Sequence, residues 1–303
     1  MAPHHGVPLA LPRETSTTRL NSARCMSAHI ATSLQDYFAA TVRVPADLAD
    51  VHRRYTTAKP FPHIVLDDLF DPSLLDRVIE EAPSPKSASW LAIEQDGLES
   101  TLRMRSAMEI GAAGREMVAT LSSAAFLYMV SEMTGIWQLL PDPYLQGAGH
   151  AAMLRGDFFK VHSDRTVAYD TGLTRRLAVI TFLNKDWPSA EYGGNLELWN
   201  NEGTRCEVSI EPQYNRTIIF EIAHPNYHGV PQPLTCPANV TRRSFMFYYH
   251  TVDVGVTDKV SPHTSRFAPQ FYRPKKSALH RALVQLTPPI VTSALAKAFG
   301  KRS

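Results

Sequence analysis

Cysteine is scarce in this chain. The three cysteines, Cys25, Cys206 and Cys236, are odd in number and far apart. That excludes a disulfide framework and the close thiolate spacing of a structural zinc site, and fits free thiols in a reducing compartment. Long apolar runs are also lacking: none approaches the roughly 20 residues needed to span a bilayer. No charged start is followed by an apolar block, as a secretory signal would require. These absences lead to the expectation of a cytoplasmic protein. Neither sign of charge dominates, with 31 Lys and Arg against 29 Asp and Glu, a net charge of +2 and a pI near 8.4. No compact basic run stands out in the central part, so no nucleic-acid partner is expected.

What is present is ordinary globular material: 303 residues, 44% hydrophobic and 20% charged, enough for a sizeable core. Residues 1–27 are rich in Pro, Ser, Thr, Arg and His without periodicity and read as a disordered extension. Residues 28–58 read as a helical segment, with helices over Ile30–Ala40 and Ala46–Tyr55. Residues 59–252 form the main domain. It opens with a strand at His63–Leu66, and then a helix capped by Asp71 with Pro72 at its first position. A loop or short strands are expected near Ser89–Ala92 and Leu102–Glu109. A single long helix should run from Arg115 to Thr134, stopped by Gly135.

From Leu145 the texture changes to short β-rich runs between turn residues. They are Gly147–Leu154, Asp157–His162, Arg176–Leu183, Asn195–Trp199, Cys206–Ile210, Thr217–Ile222, His228–Val230 and Arg243–His250. Regular short strands of this kind argue for a mainly β fold, a sandwich or jelly roll with flanking helices, and against a parallel α/β sheet. Residues 253–303 form a basic tail with two helical patterns split by Pro288-Pro289. The tail reads as a helix pair on the sheet or as a peripheral contact with an anionic membrane.

The chemistry concentrates in Phe158-Phe159-Lys160-Val161-His162-Ser163-Asp164. Alternating strand side chains place His162 and Asp164 on one side. Two histidines and a carboxylate on one face of a metal are what a non-haem Fe(II) site needs, with the remaining positions left open. His228 is the third candidate ligand. It opens an apolar strand with Gly229-Val230, whereas His224 precedes a proline in a loop. Lys160 shares the side of His162 by parity and would reach the pocket mouth unless a local bend turns it outward. In the strand from Arg242, Arg242 and Ser244 take one face while Phe245, Phe247 and Tyr249 take the other. A buried guanidinium needs an anion, and its fork holds a carboxylate in a bidentate manner. Arg243 falls on the opposite face.

Together these stretches resemble the prolyl 4-hydroxylase-like branch of the 2-oxoglutarate and Fe(II) dependent dioxygenases, from about Pro60 to Thr251. The likeness lies in Pro62-His63-Ile64-Val65-Leu66-Asp67-Asp68, in Gly156 to Asp164, and in Leu183-Asn184-Lys185-Asp186-Trp187 with Gly193 to Leu198. It continues through Tyr227-His228-Gly229-Val230-Pro231 and Arg242-Arg243-Ser244. The resemblance implies a double-stranded β-helix with N- and C-terminal helices. It implies Fe(II) held by His162, Asp164 and His228, and 2-oxoglutarate with its far carboxylate on Arg242. O2 would be the co-substrate and ascorbate a reductant. The substrate would be a prolyl residue in a peptide or a small molecule, hydroxylated with release of succinate and CO2. Phe182 stands where the family often has a tyrosine that also holds this carboxylate; Ser244, Thr181 or a water would take over its role.

Two rival readings remain. One is a jelly roll that binds a ligand or partner without turnover, against which an intact triad with Arg242 argues. The other is a zinc hydrolase on the same ligands, which would need a general base such as Glu197 or Glu221. Trp187, Tyr192, Trp199 and Tyr214 could line an entrance or fill the core.

Overall fold

A computed structural model describes residues 30–104, 106–142, 144–168, 171–252 and 265–271. The expected extension over 1–27 lies outside these residues, and so do the two helical patterns of the tail.

Five helices come before the main strands: α1 over 30–38, α2 (Leu48–Thr57), α3 (Pro72–Glu80), α4 (Gly111–Ser122) and α5 (Ala124–Thr134). Asp47 caps α2. Asp71 caps α3, accepting the Ser73 N–H at 2.6 Å with Pro72 in the first turn, as the sequence implies. The single helix expected over Arg115–Thr134 is two helices. Ser123 leaves helical geometry at ψ 148°, and its hydroxyl accepts the Phe126 N–H at 3.2 Å, starting α5 afresh. A serine cap inside an apolar periodic stretch breaks the helix without breaking the pattern.

Among the described residues, thirteen strands form one antiparallel sheet that curls on itself. In chain order they begin with β1 (His63–Asp67), β2 (Trp90–Gln95), β3 (Glu99–Met104), β4 (Leu140–Pro141), β5 (Gly149–Met153) and β6 (Phe158–Ser163). Then come β7 (Thr174–Phe182), β8 (Leu196–Trp199), β9 (Cys206–Ile210) and β10 (Arg216–Glu221). The last are β11 (His228–Val230), β12 (Arg242–Thr251) and β13 (Arg266–Phe267), and the short helix α6 (Ser189–Tyr192) lies between β7 and β8. The order β1-β10-β7-β12-β5-β3-β6-β11-β8-β9 makes two facing halves joined through β5 and β3. This is the double-stranded β-helix. Where the sequence suggests a loop or short strands at Ser89–Ala92 and Leu102–Glu109, there is a longer hairpin, β2–β3, and Ala107–Glu109 is a 3-10 turn.

β12 shows why the sheet has two different faces. Phe245, Phe247 and Tyr249 are at most 1% exposed and join the core with Leu34, Leu48, Val51, Leu75 and Phe126 of the helices. The Tyr249 hydroxyl donates to Leu121 O at 2.7 Å, tying strand to helix. Burying each of these rings stabilises the layer by about 1.5–3 kcal/mol. The alternate residues Arg242, Ser244, Met246 and Tyr248 face inward and line a cavity between the two halves of the sheet.

Candidate active site

The cavity is lined by β3, β5, β6, β7, β8, β10, β11 and β12. It brings together His162, Asp164, His228, Arg242 and Ser244, which the sequence singles out. His162 and His228 stand opposite each other in the β6–β11 register. Asp164 follows the end of β6. Its carboxylate oxygens lie 3.3 Å from His162 Nε2 and 3.8 Å from His228 Nε2. Oδ1 faces His162 and Oδ2 faces His228, at separations that ligands of one metal can have. The three ligand atoms all lie within 4.8 Å of one another.

The chemistry of the donor set also fits a cation. His162 Nδ1 is 2.8 Å from Lys160 O, and His228 Nδ1 is 3.2 Å from Asn226 O. A carbonyl only accepts, so each Nδ1 carries a proton, and in a neutral ring Nε2 then presents its lone pair. Those lone pairs face a carboxylate, and buried His162 Nε2 has no hydrogen-bond partner. Burial lowers the His228 pKa to about 4, so this ring is neutral at pH 7. Burial acts to raise the Asp164 pKa, but His162, His228 and Arg175 outweigh it and hold the carboxyl below the usual range. A cation bound between the imidazoles and the carboxylate would satisfy all three groups at once.

A bulge in β6 makes this geometry. From His228↔His162 to Val230↔Phe159, β11 advances two residues while β6 advances three. The extra residue overturns the parity expected for Lys160. Its ammonium turns away from the cavity and donates to Pro231 O, while its carbonyl orients His162. Phe159 takes the inward place instead and stacks on His162, with ring centroids 3.7 Å apart. This contact was not legible in the sequence, because a bulge leaves no clear residue signal. His224 is outside the cavity, with Nδ1 3.0 Å from Ser163 Oγ.

Arg242 lies across the cavity and is 5% exposed. Its Nε donates to Gly194 O at 2.6 Å, and its guanidinium carbon sits 5.1 Å from the Phe182 ring centroid. Among the described residues no carboxylate pairs with it. Burial, and then the charge of Arg103, push its pKa down to about 9. Gly194 has φ +82°, and a Cβ there would lie 3.0 Å from Arg242 Cδ, so glycine is required for this approach. Phe182, in the place of the family's tyrosine, gives the guanidinium a ring face in place of a hydroxyl. Ser244 is inward, as expected. Thr181 is not: it faces the helices, where its hydroxyl bonds Thr217 Oγ1 at 2.9 Å. Strand alternation gives the cavity to Ile180 and Phe182, so Thr181 is corrected to a structural residue. Arg243 points the other way, 3.5 Å from Ile79 O.

Residues 148–250 match the family model described as the 2OG-Fe(II) oxygenase superfamily. The matched segment is about a third of the chain and contains His162, Asp164, His228 and Arg242. That family's name gives Fe(II) and 2-oxoglutarate as its cofactor and cosubstrate, and the His162, Asp164 and His228 donor set fits a metal ion. A comparison with curated proteins found no match. Among solved structures, the chain is similar to a Trichoplax adhaerens prolyl hydroxylase in complex with a hypoxia inducible factor peptide fragment. Identity is 17%, with 67% of this chain and 88% of that one covered, at a TM-score of 0.49. A Pseudomonas putida prolyl-4-hydroxylase gives 16% identity, 67% and 98% coverage and a TM-score of 0.49. The epimerase SnoN, in complex with Fe3+, alpha ketoglutarate and nogalamycin RO, gives 11%, 72%, 97% and 0.49. At these values none of them says what this protein acts on.

The other sequence candidates fall outside the cavity. Glu197 accepts a hydrogen bond from Trp199 Nε1, and Glu221 pairs with Arg176 at 3.4 Å. Neither lines the site as a hydrolytic base would. Tyr214 bonds Asp76 on the outer side, and Trp187 packs edge-on against Tyr192, their ring centroids 5.3 Å apart. Arg103, Thr101 and Tyr248 line the cavity although the sequence reading did not single them out. Among the described residues, no helix is long and apolar enough to cross a membrane.

Proposed function

We propose that this protein is an Fe(II)- and 2-oxoglutarate-dependent hydroxylase of an unactivated C–H bond, releasing succinate and CO2. One observation carries the reading. A single cavity holds two imidazoles around a carboxylate on one wall and, on another, a buried guanidinium that has no carboxylate partner among the described residues. His162, Asp164 and His228 would hold the iron. Arg242 would take the far carboxylate of 2-oxoglutarate, with the Ser244 hydroxyl beside it.

When bound, iron and 2-oxoglutarate together supply the oxidising power to place one atom of O2 on the substrate carbon and the other in succinate. The chain's own residues orient and protect. The Lys160 and Asn226 carbonyls fix the two imidazole tautomers, and Phe159 holds the His162 ring by stacking. Ala151, Met153, Ile180, Val230 and Met246 keep the lining apolar, which strengthens each charge–charge contact inside. The substrate is a prolyl residue in a peptide or a small molecule, and ascorbate would serve as reductant.

The test supplies purified protein with Fe(II), 2-oxoglutarate and O2 and screens peptides and metabolites for a mass gain of one oxygen, with succinate measured in parallel. Asp164→Ala serves as the control. Oxygenated product from the wild type and none from the variant is the expected outcome. Equal product from both removes the reading.

A further inference from the structure

β13 (Arg266–Phe267) is laid along the strand that carries His162. The sequence reading placed these residues in the basic tail. They also fall outside residues 148–250, the stretch that matches the family model.

β6 has two edges. Along one, β11 pairs from Phe159 to His162. Along the other, β3 pairs with Phe158 and Phe159, and the Lys160 N–H donates to Leu98 O at 2.8 Å. β3 begins at Glu99 and reaches no further along β6. Without β13, the edge from Val161 to Ser163 would have no strand partner among the described residues. β13 takes that place: Arg266 pairs with Ser163 and Phe267 with His162, and the Ala268 N–H donates to Val161 O at 2.8 Å. His162 is 1% exposed and Ser163 0%.

The side chains add to this grip. The Phe267 ring centroid lies 5.9 Å from that of His162 and 6.3 Å from that of Phe159, which itself stacks on His162. The three rings form one cluster around the first ligand. Ala268 is fully buried against Gly203, where an added Cβ would lie 2.6 Å from the Ala268 Cβ. The Gln270 amide donates to Gly203 O. The segment is therefore fixed to the turn between β8 and β9 as well as to β6.

Backbone paired on one side only opens more readily than backbone paired on both. That matters at His162. Its place on β6 sets where Nε2 points, and Asp164 follows two residues on. Ligands of one ion need to be held within about 0.5 Å of the productive geometry by packing and hydrogen bonds from their neighbours.

Resting on the oxygenase reading above, we infer that β13 is a clasp on the metal centre. Phe267 is a positioning residue: with the β13–β6 backbone pairing it holds His162 and Asp164 in place for the ion. The metal centre then depends on residues as far along as Gln270, beyond the family-matched segment.

The experiment strips the full chain with chelator and titrates it with Co(II), whose visible absorption reports its ligand geometry. Phe267→Ala, Phe267→Leu and Gln270→Ala are compared with wild type, and circular dichroism confirms that each folds. Hydrogen exchange over residues 158–166 of the metal-free protein reads how firmly β6 is held. Phe267→Ala should lose about tenfold or more in Co(II) affinity, shift the absorption and exchange faster over 158–166, with β10 unchanged. Phe267→Leu keeps an apolar contact and should stay within about threefold of wild type. Gln270→Ala removes only the amide on Gly203 O, from an exposed residue, and should move each readout the same way by less. Wild-type affinity and absorption in Phe267→Ala, or in Gln270→Ala where Phe267→Ala does not fold, overturns the inference. So does a loss of affinity with unchanged exchange over 158–166, because β13 would then not be holding the ligand strand. A fall in Tm alone assigns Phe267 to packing and overturns it as well. Wild-type protein that binds no Co(II) instead overturns the oxygenase reading, which keeps the two failures distinct.

Discussion

Gly229 lies flat against the Phe159 carbonyl: a Cβ on Gly229 would sit 2.7 Å from that oxygen and 3.1 Å from Lys160 O. The β6 bulge therefore depends on a bare backbone in β11. Both neighbours are main chain and cannot swing aside. Gly229→Ala is expected to destabilise the fold by about 1–3 kcal/mol, the usual cost of overpacking, and to push His228 away from Asp164. Thermal unfolding and metal titration check it together. An unchanged Tm with unchanged metal affinity would show that the close approach is not required.

The stacking of Phe159 on His162 is the second consequence of the bulge. Phe159→Leu keeps an apolar side chain but loses the ring face, worth about 0.5–1.5 kcal/mol in aromatic pairs. Metal affinity should fall by roughly the same energy, up to about tenfold, with little change in Tm. A fall in Tm without a fall in metal affinity would assign Phe159 to packing alone.

Much of the site was legible in the residues, and its limits have physical causes. Strand parity in β12 correctly divides Arg242 and Ser244 from Phe245 and Phe247, because that strand runs without irregularity through Phe247. Parity fails in β6, where an extra residue exchanges the roles of Phe159 and Lys160. It also argues against Thr181, since Phe182 is the inward neighbour. The long helix read over Arg115–Thr134 hid a break, because a serine cap leaves apolar periodicity intact. Arg103 escaped notice because β3 joins the site only through pairing with β5 and β6, which are distant in sequence.

Arg242 is placed by Gly194 and Phe182 to present a fork. Arg242→Lys keeps the charge and loses the bidentate geometry, so 2-oxoglutarate affinity should fall about 10- to 100-fold. Gly194→Ala should weaken it too, by displacing the Arg242 side chain. Calorimetry with Mn(II) present reads both, and wild-type affinity in Arg242→Lys would show that the guanidinium does not hold the cosubstrate.

Acid should weaken the fold through two histidines away from the metal site. His150 and His250 are each 2% exposed, and burial lowers both pKa values to about 4. The unfolded chain binds their protons near the ordinary 6.5 and the folded chain does not. Stability is therefore complete above about pH 6.5 and falls as pH drops toward about 4, by on the order of 2 kcal/mol per histidine. Denaturant midpoints across this window check it, and His150→Gln should show a shallower fall. Identical pH profiles would mean that His150 is not buried neutral.

Metal binding tests the central claim most directly. Purified protein stripped with chelator is titrated anaerobically with Fe(II), beside Asp164→Ala and His228→Ala of confirmed fold. One equivalent bound by the wild type, with at least about a tenfold loss in each variant, is the predicted result. Wild-type affinity retained in either variant would contradict it, because then the two imidazoles and the carboxylate do not share an ion.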